Sequence, residues 1–125
     1  MKLQSDPHFG TNTITGYGDG YVEINKTPYT HAVLISSDGA ISEWPIKTFE
    51  GLEHAHFEEM VALKPELILI GTGIKQHFPK PELLKTLISA KIGFEIMNSQ
   101  AACRTYNILV GEGRKVLLAL IVEAC

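Results

Sequence analysis

The sequence predicts an α/β domain in which a β-rich opening is followed by a βαβαβ succession. Two observations carry this expectation. From Leu67 onward, apolar runs of strand length alternate with helical patterns, the order that builds a sheet with parallel strands joined by right-handed crossovers. Before Leu67 the apolar runs are short and separated by glycine-containing turns, the mark of antiparallel pairing. No linker, low-complexity tract or internal repeat interrupts the 125 residues. Residues 1–125 therefore read as one domain, of a size that buries about two-thirds of its unfolded surface.

Taken in order, the stretch TITGYGDGYVEI sets two β-rich runs around Gly16, Gly18, Asp19 and Gly20, a strong hairpin signal. HAVLISSDGAISEW repeats the plan: a strand at Ala32 to Ile35, a turn at Ser37-Asp38-Gly39 and a shorter strand ending at Trp44-Pro45. The period then changes. GLEHAHFEEMVALKP places Leu52, His56, Met60 and Leu63 at spacings of three and four, one helical face that Pro65 stops. The second half reads as strand 67–70, helix 81–90, strand 93–97, helix 99–110 and strand 116–122. The strands at 67–70 and 93–97 are expected to lie parallel in one sheet, covered by the helices at 81–90 and 99–110. Gly111 and Gly113 follow the last helix closely, so the final strand can enter the sheet in either direction.

Charge and composition exclude several function classes. A formal net charge of -3, with 45% hydrophobic and 20% charged residues and no dense Lys/Arg stretch, disfavours nucleic acid as partner, because neutralising phosphates takes clustered positive charge. The polar start MKLQSDPHFG lacks the apolar core of a signal peptide, and the longest aliphatic run, Val116 to Val122, is too short to span a bilayer. The expectation is a cytoplasmic protein with no membrane insertion, monomeric or weakly self-associating. Cys103 and Cys125 form neither a disulfide framework nor a metal-binding pair, which fits a reducing compartment.

Ligands of open α/β sheets collect beyond the carboxyl ends of the strands. Here that crevice is expected between the loops Gly71 to Lys80 and Asn98 to Gln100. Asn98 or Ser99 would cap the second helix and turn its N–H groups toward the opening. Gly71, Thr72, Gly73, Lys75, Gln76, His77, Asn98, Ser99 and Arg104 are thus candidates to surround a small anion. Gly71-Thr72-Gly73 is a poor nucleotide motif, since the third glycine is missing and the helix waits for Pro81. No phosphate-loop motif occurs either, and the two glycines read as the exit of a buried strand. No cofactor is implied.

Other reactive residues read as structural. Cys103 lies one turn into a helix beside Ala101 and Ala102, so it is expected to be buried and chemically quiet. His54 and His56 point apart on their helix, leaving His54 with Glu58, and two ligands do not make a metal site. His8 and His31 are isolated, and no Ser-His-Asp or paired-carboxylate arrangement appears.

The stretch MNSQAACRTYNILVGEGRKV carries the most information. Thr105 and Asn107 sit inside a packable helix, where polar side chains compete with the backbone and call for a defined tertiary partner. Tyr106, with Ala102 and Leu109, would face the sheet. Glu112-Gly113-Arg114 sets opposite charges around a turn, the pattern of a surface or loop-fixing pair. At Gly71-Thr72-Gly73, Met97, Ala101-Ala102, Thr105-Tyr106-Asn107, Leu109 and Glu112-Gly113-Arg114 the chain resembles the domain-of-unknown-function 498 family, which includes mitochondrial complex I assembly factor 3 and adipogenesis-associated domain proteins. Ser99 stands where many members have Thr, and it keeps the hydroxyl. The resemblance implies a three-layer fold with a mixed central sheet, flanking helices and a small extra N-terminal β-layer. It implies no established catalysis.

Two functional readings follow. The favoured one is a non-enzymatic binding or assembly-type protein whose crevice or exposed faces engage another protein. The alternative is a small-anion or metabolite-binding domain, or a minor enzyme, using the crevice between the Gly71–Lys80 loop and the Ser99 helix start, with Cys103 or His77 as its chemical groups.

Overall fold

The structure, a computed structural model, describes residues 11–124; His8 and Cys125, considered above, lie outside the described residues. The chain opens as a three-stranded antiparallel sheet of β1 (Ile14–Gly18), β2 (Tyr21–Ile24) and β3 (Thr27–Tyr29). The turn between β1 and β2 passes through Gly20 at φ 77°, as the glycine-rich sequence foretold. β3 was not anticipated. It is announced only by Asn25 and Lys26, both in the left-handed region at φ 52° and 72°, the geometry of a tight hairpin turn. Its centre is Pro28, a residue confined to edge strands, and β3 is such an edge.

The second sheet has five strands in the order β5-β4-β8-β6-β7. β4 (Val33–Ser36) and β5 (Ile41–Glu43) form an antiparallel hairpin. β6 (Leu67–Gly71) and β7 (Gly93–Met97) are adjacent and parallel, with Leu67 opposite Gly93 and Gly71 opposite Met97. β8 (Val116–Leu120) inserts between β4 and β6, antiparallel to the first and parallel to the second. The sheet is therefore mixed, and the direction left open by the sequence is decided. All five β8 residues are buried, as expected of a strand covered on both faces. The strand is shorter than the apolar run 116–122 suggests, because after Leu120 the chain leaves the ladder to wall the crevice.

Alternate residues of β6 and β8 feed two cores. On one face Leu69, Leu118 and Leu120 pack with Ala102, Cys103, Tyr106 and Val110 of α3 (Ser99–Gly111) and with Ile14, Val22 and Ile24 of the small sheet. On the other, Ile68, Ile70, Leu117 and Ala119 meet Phe57 and Met60 of α1 (His54–Ala62) and Leu87 of α2 (Pro81–Ser89). Helices cover both faces of the sheet, giving the three layers.

α1 departs from its expected face in one respect. Leu52 precedes the helix, and Leu63 follows it and is 46% exposed. The buried stripe is Phe57 and Met60, three apart, because the helix starts only at His54, where His56 Nδ1 accepts the Glu53 N–H at 2.9 Å to complete a capping box. The chain turns away at Lys64, φ 52°, one residue before Pro65.

Candidate functional site

The loop that follows β6 is held from within. Thr72 is fully buried; its hydroxyl donates to the Lys75 carbonyl at 2.7 Å and accepts the His77 N–H at 3.0 Å. Its N–H meets the Met97 carbonyl at 2.9 Å, tying the loop to the end of β7. Ser99 fastens the next residue: its Oγ accepts the Gly73 N–H at 2.8 Å and donates to the Ile121 carbonyl at 2.6 Å, while its own N–H reaches the Gly73 carbonyl at 2.9 Å. One serine thus joins the exits of β6 and β8 to the start of α3. These contacts explain the glycines. A Cβ at Gly71 would press on Leu120 Cδ1 at 2.6 Å and on the Ser99 backbone at 3.0 Å, and Gly73 sits at φ 104° against the Glu123 carboxylate.

Beyond this junction lies a cavity of about 250 Å³. Of the candidate residues, Gly73, Asn98 and Ser99 are part of its lining, joined by Ile74 and Gln100. Gly71 and Thr72 are buried beneath, in the junction itself. Lys75, Gln76 and His77 are not among its lining. Gln76 Nε2 instead donates to the Ile96 carbonyl at 2.9 Å on β7, and the His77 ring stacks on Phe49, centroids 5.0 Å apart and planes inclined by 26°. Arg104 stays outside the lining and donates to the Tyr17 hydroxyl at 3.2 Å.

Sequence reasoning missed the opposite wall. Tyr17, Asp19 and Tyr21 come from the β1–β2 turn, and Val122 and Glu123 from the segment after β8. Their positions at the two ends of the chain gave no local pattern to read. Glu123 Oε1 accepts the Ile74 N–H at 2.9 Å, which brings a carboxylate into the cavity wall. Three amide groups at the start of α3 are also engaged: Ser99 N–H by Gly73, Ala101 N–H by Asn98 Oδ1 at 2.8 Å, and Ala102 N–H by the Asn98 carbonyl at 2.9 Å.

Cys103 forms part of the cavity floor and is only 2% exposed. Burial pushes its thiol up to about 12 against a small opposing pull from Arg104, leaving it protonated at neutral pH. Among the described residues no three His, Cys, Asp or Glu gather in a metal-binding group. His54 Nδ1 instead lies 3.0 Å from the Thr86 hydroxyl, and His31 packs edge-on against Tyr29.

The Thr105-Tyr106-Asn107 stretch fastens the N-terminal segment to α3. The Tyr106 hydroxyl donates to the Asn12 carbonyl at 2.7 Å, and the Asn107 amide pairs with both backbone groups of Ile14. Thr105 is half-buried beside them. Arg114 finds Glu66, with Nε to Oε1 at 2.6 Å. That hydrogen bond holds the Glu66 carboxyl below its usual range and raises Arg114, linking the chain just before β6 to the chain just before β8.

Residues 14–121 match the family model described as "Protein of unknown function (DUF498/DUF598)". The chain belongs to this family. DUF498 relatives extend over its length: a "13 kDa major membrane protein" of Francisella tularensis is 33% identical over 122 residues, covering 97% of this chain and 99% of that one. A Drosophila melanogaster protein named NADH dehydrogenase [ubiquinone] 1 alpha subcomplex assembly factor 3 is 28% identical over 112 residues, 86% of this chain. The present chain spans only 57% of that longer relative. Among solved structures, a Bordetella pertussis protein described as a Mth938-like domain superposes with a TM-score of 0.84 at 34% identity, over 99% of this chain and 94% of that chain. The DUF498 fold is therefore the mixed α/β arrangement described above. None of its described helices is long and apolar enough to cross a membrane.

Proposed function

We propose that the chain is a non-enzymatic, assembly-type binding protein that acts through protein contacts and presents the loop after β6 to its partner. The observation that carries this reading is the combination of rigidity and exposure in that loop. Thr72 pins it from below, yet Ile74 is 51% and Phe78 70% exposed. Phe78 borders a groove of about 300 Å³ whose other lining is Phe49, Leu52, Pro79 and Leu83 with the charged Glu50 and Lys80. A loop whose backbone is already fixed loses little backbone entropy on docking, which favours the large apolar side chains it carries as interface anchors.

The relatives named as assembly factors for NADH dehydrogenase support a partner of one class within this proposal: a protein subunit of that complex or its precursor. A cytoplasmic place and a monomeric or weakly self-associating state belong to the same proposal. The Francisella relative's name is accommodated by attachment to a membrane through the partner. The alternative of an anion-binding crevice or minor enzyme has less support. Three of the helix-start amides are already engaged, Glu123 brings negative charge into the cavity, and the lining that includes Cys103 does not include His77.

Amine-directed crosslinking from the exposed Lys75 of the same loop in the native cell tests the proposal. The wild type is expected to trap a defined set of proteins that includes NADH dehydrogenase subunits. Ile74→Ser/Phe78→Ser is expected to recover about tenfold less, the equivalent of roughly 1.4 kcal/mol, at an unchanged melting temperature. Equal recovery by both proteins, or no defined set, refutes the reading.

A further inference from the structure

We propose that the outer edge of β7 accepts an added strand from another protein, an extended segment in which a lysine or arginine stands between two apolar residues. The inference goes beyond the assembly reading and does not rest on it, since a strand can be added here whatever complex the partner belongs to.

Each of the two sheets has two outer strands, β1 and β3 in one, β5 and β7 in the other. Unpaired edges invite other chains, and folded proteins close them with proline, short strands or covering groups. Asn107 covers the Ile14 backbone of β1, Pro28 stands in β3, and β5 is three residues long with Pro45 close behind. β7 has five residues, without proline or lysine. Its backbone groups are placed by the register. The Thr72 N–H meets the Met97 carbonyl at 2.9 Å, so Gly93, Glu95 and Met97 turn their backbone groups toward β6, and Phe94 and Ile96 turn theirs outward. The Ile96 carbonyl takes Gln76 Nε2 at 2.9 Å, from an exposed side chain. The Phe94 N–H, the Phe94 carbonyl and the Ile96 N–H face no strand among the described residues.

The flanks select the sequence of the guest. α2 packs over β7. Its Thr86 hydroxyl lies 3.0 Å from His54 Nδ1 of α1; Leu84 and Ile88, two residues to either side, therefore stand on the flank turned away from α1, above the free edge. Ile88 is 61% exposed. Phe94 and Ile96 pack into the core beneath α2, whereas Glu95 points to the opposite face, where it is exposed and has no ion-pair partner among the described residues. In an added strand the residue opposite Glu95 shares its face, and the residues before and after it lie beneath Leu84 and Ile88. A cation at the first position and apolar side chains at the other two match those surroundings. A second copy of the chain paired about Glu95 would instead set two carboxylates opposite each other, which destabilises a strand pair.

The acetylated and amidated peptide Ser-Val-Thr-Val-Lys-Val-Thr-Val-Ser tests the proposal. Its titration into the isotopically labelled chain is expected to give saturable NMR shifts at the Phe94 and Ile96 amides and slower hydrogen exchange at both. Replacing the peptide's lysine by glutamate should weaken binding by roughly threefold to tenfold, and Glu95→Lys should reverse that order. Methylating the peptide nitrogens of the lysine and its flanking valines removes the donors a ladder needs and should abolish the shifts, which separates strand addition from contact between side chains alone. Ile74→Ser/Phe78→Ser is expected to bind the peptide as the wild type does, so that failure of the assembly reading leaves this result standing. The proposal is overturned by absent saturation, by equal affinity for the lysine and glutamate peptides, or by binding that survives methylation. It is overturned equally by shifts at Phe94 and Ile96 that grow with protein concentration alone, which would give the edge to a second copy.

Discussion

The side-chain amide of Asn107 closes on the backbone of Ile14 from both sides, Oδ1 accepting the Ile14 N–H at 2.9 Å and Nδ2 donating to the Ile14 carbonyl at 2.7 Å. A single helical residue thereby serves the free edge of β1 as a neighbouring strand would. The small sheet is pinned to α3 by this pair and by Tyr106 on Asn12, and its Ile14, Val22 and Ile24 fill the same core as Ala102 and Cys103.

Asn107→Ala is expected to cost about 1–3 kcal/mol, the usual price of leaving partly buried groups without partners. Asn107→Asp should cost more, because it keeps the acceptor for the Ile14 N–H but turns a carboxylate oxygen toward the Ile14 carbonyl. Chemical denaturation measures both, and native-state hydrogen exchange should show protection falling first in β1 and β2. Unchanged stability in both variants would mean that the apolar contacts alone hold the small sheet.

Thr72→Val keeps the shape of the side chain and removes its hydroxyl. The Lys75 carbonyl loses its donor and the His77 N–H its acceptor, so a loss of about 1–3 kcal/mol is expected. Faster amide exchange should appear at residues 74–78 while β6 stays protected. If the loop exchanges as slowly as in the wild type, its rigidity comes from elsewhere.

Cys103 should resist thiol reagents under native conditions, because burial holds the thiol protonated up to about 12. The same shift makes stability pH-dependent. The unfolded chain deprotonates this thiol near its ordinary value of 9.0, whereas the folded chain holds its proton to about 12. The contribution is therefore complete below pH 9 and declines as pH rises through that window. Cys103→Ala should flatten the alkaline limb of the stability profile, whatever its effect at neutral pH. Labelling of Cys103 at the rate of an unfolded control would contradict its burial.

Gly73→Ala combines a strained φ of 104° with a clash against the Glu123 carboxylate and is expected to destabilise by about 1–3 kcal/mol. Adding Glu123→Ala should restore only the part due to the clash. The same reading of the loop predicts no thermal shift with nicotinamide, flavin or adenine dinucleotides, whereas a ligand at a hundredfold its dissociation constant would stabilise by roughly 2.7 kcal/mol. A saturable shift with a dinucleotide, lost in Gly73→Ala, would restore the nucleotide interpretation.

The sequence by itself determined the elements and much of their placement. The βαβ unit through β6, α2 and β7, the burial of Cys103 and the stop of α1 before Pro65 were legible, because local periodicity and turn chemistry act within a few residues. The need of Asn107 for a tertiary partner was legible too, but not that the partner was Ile14, a residue far back in the chain. Tertiary structure alone decided the position of β8 between an antiparallel and a parallel neighbour, since a uniformly buried strand carries no periodicity that distinguishes direction. It also decided the candidate site. Glu123 and Tyr17 line one cavity with Ser99 only after the β1–β2 hairpin and the segment that follows β8 have packed beside α3. The charge of the resulting cavity is therefore a property of long-range packing, which no short motif in the sequence records.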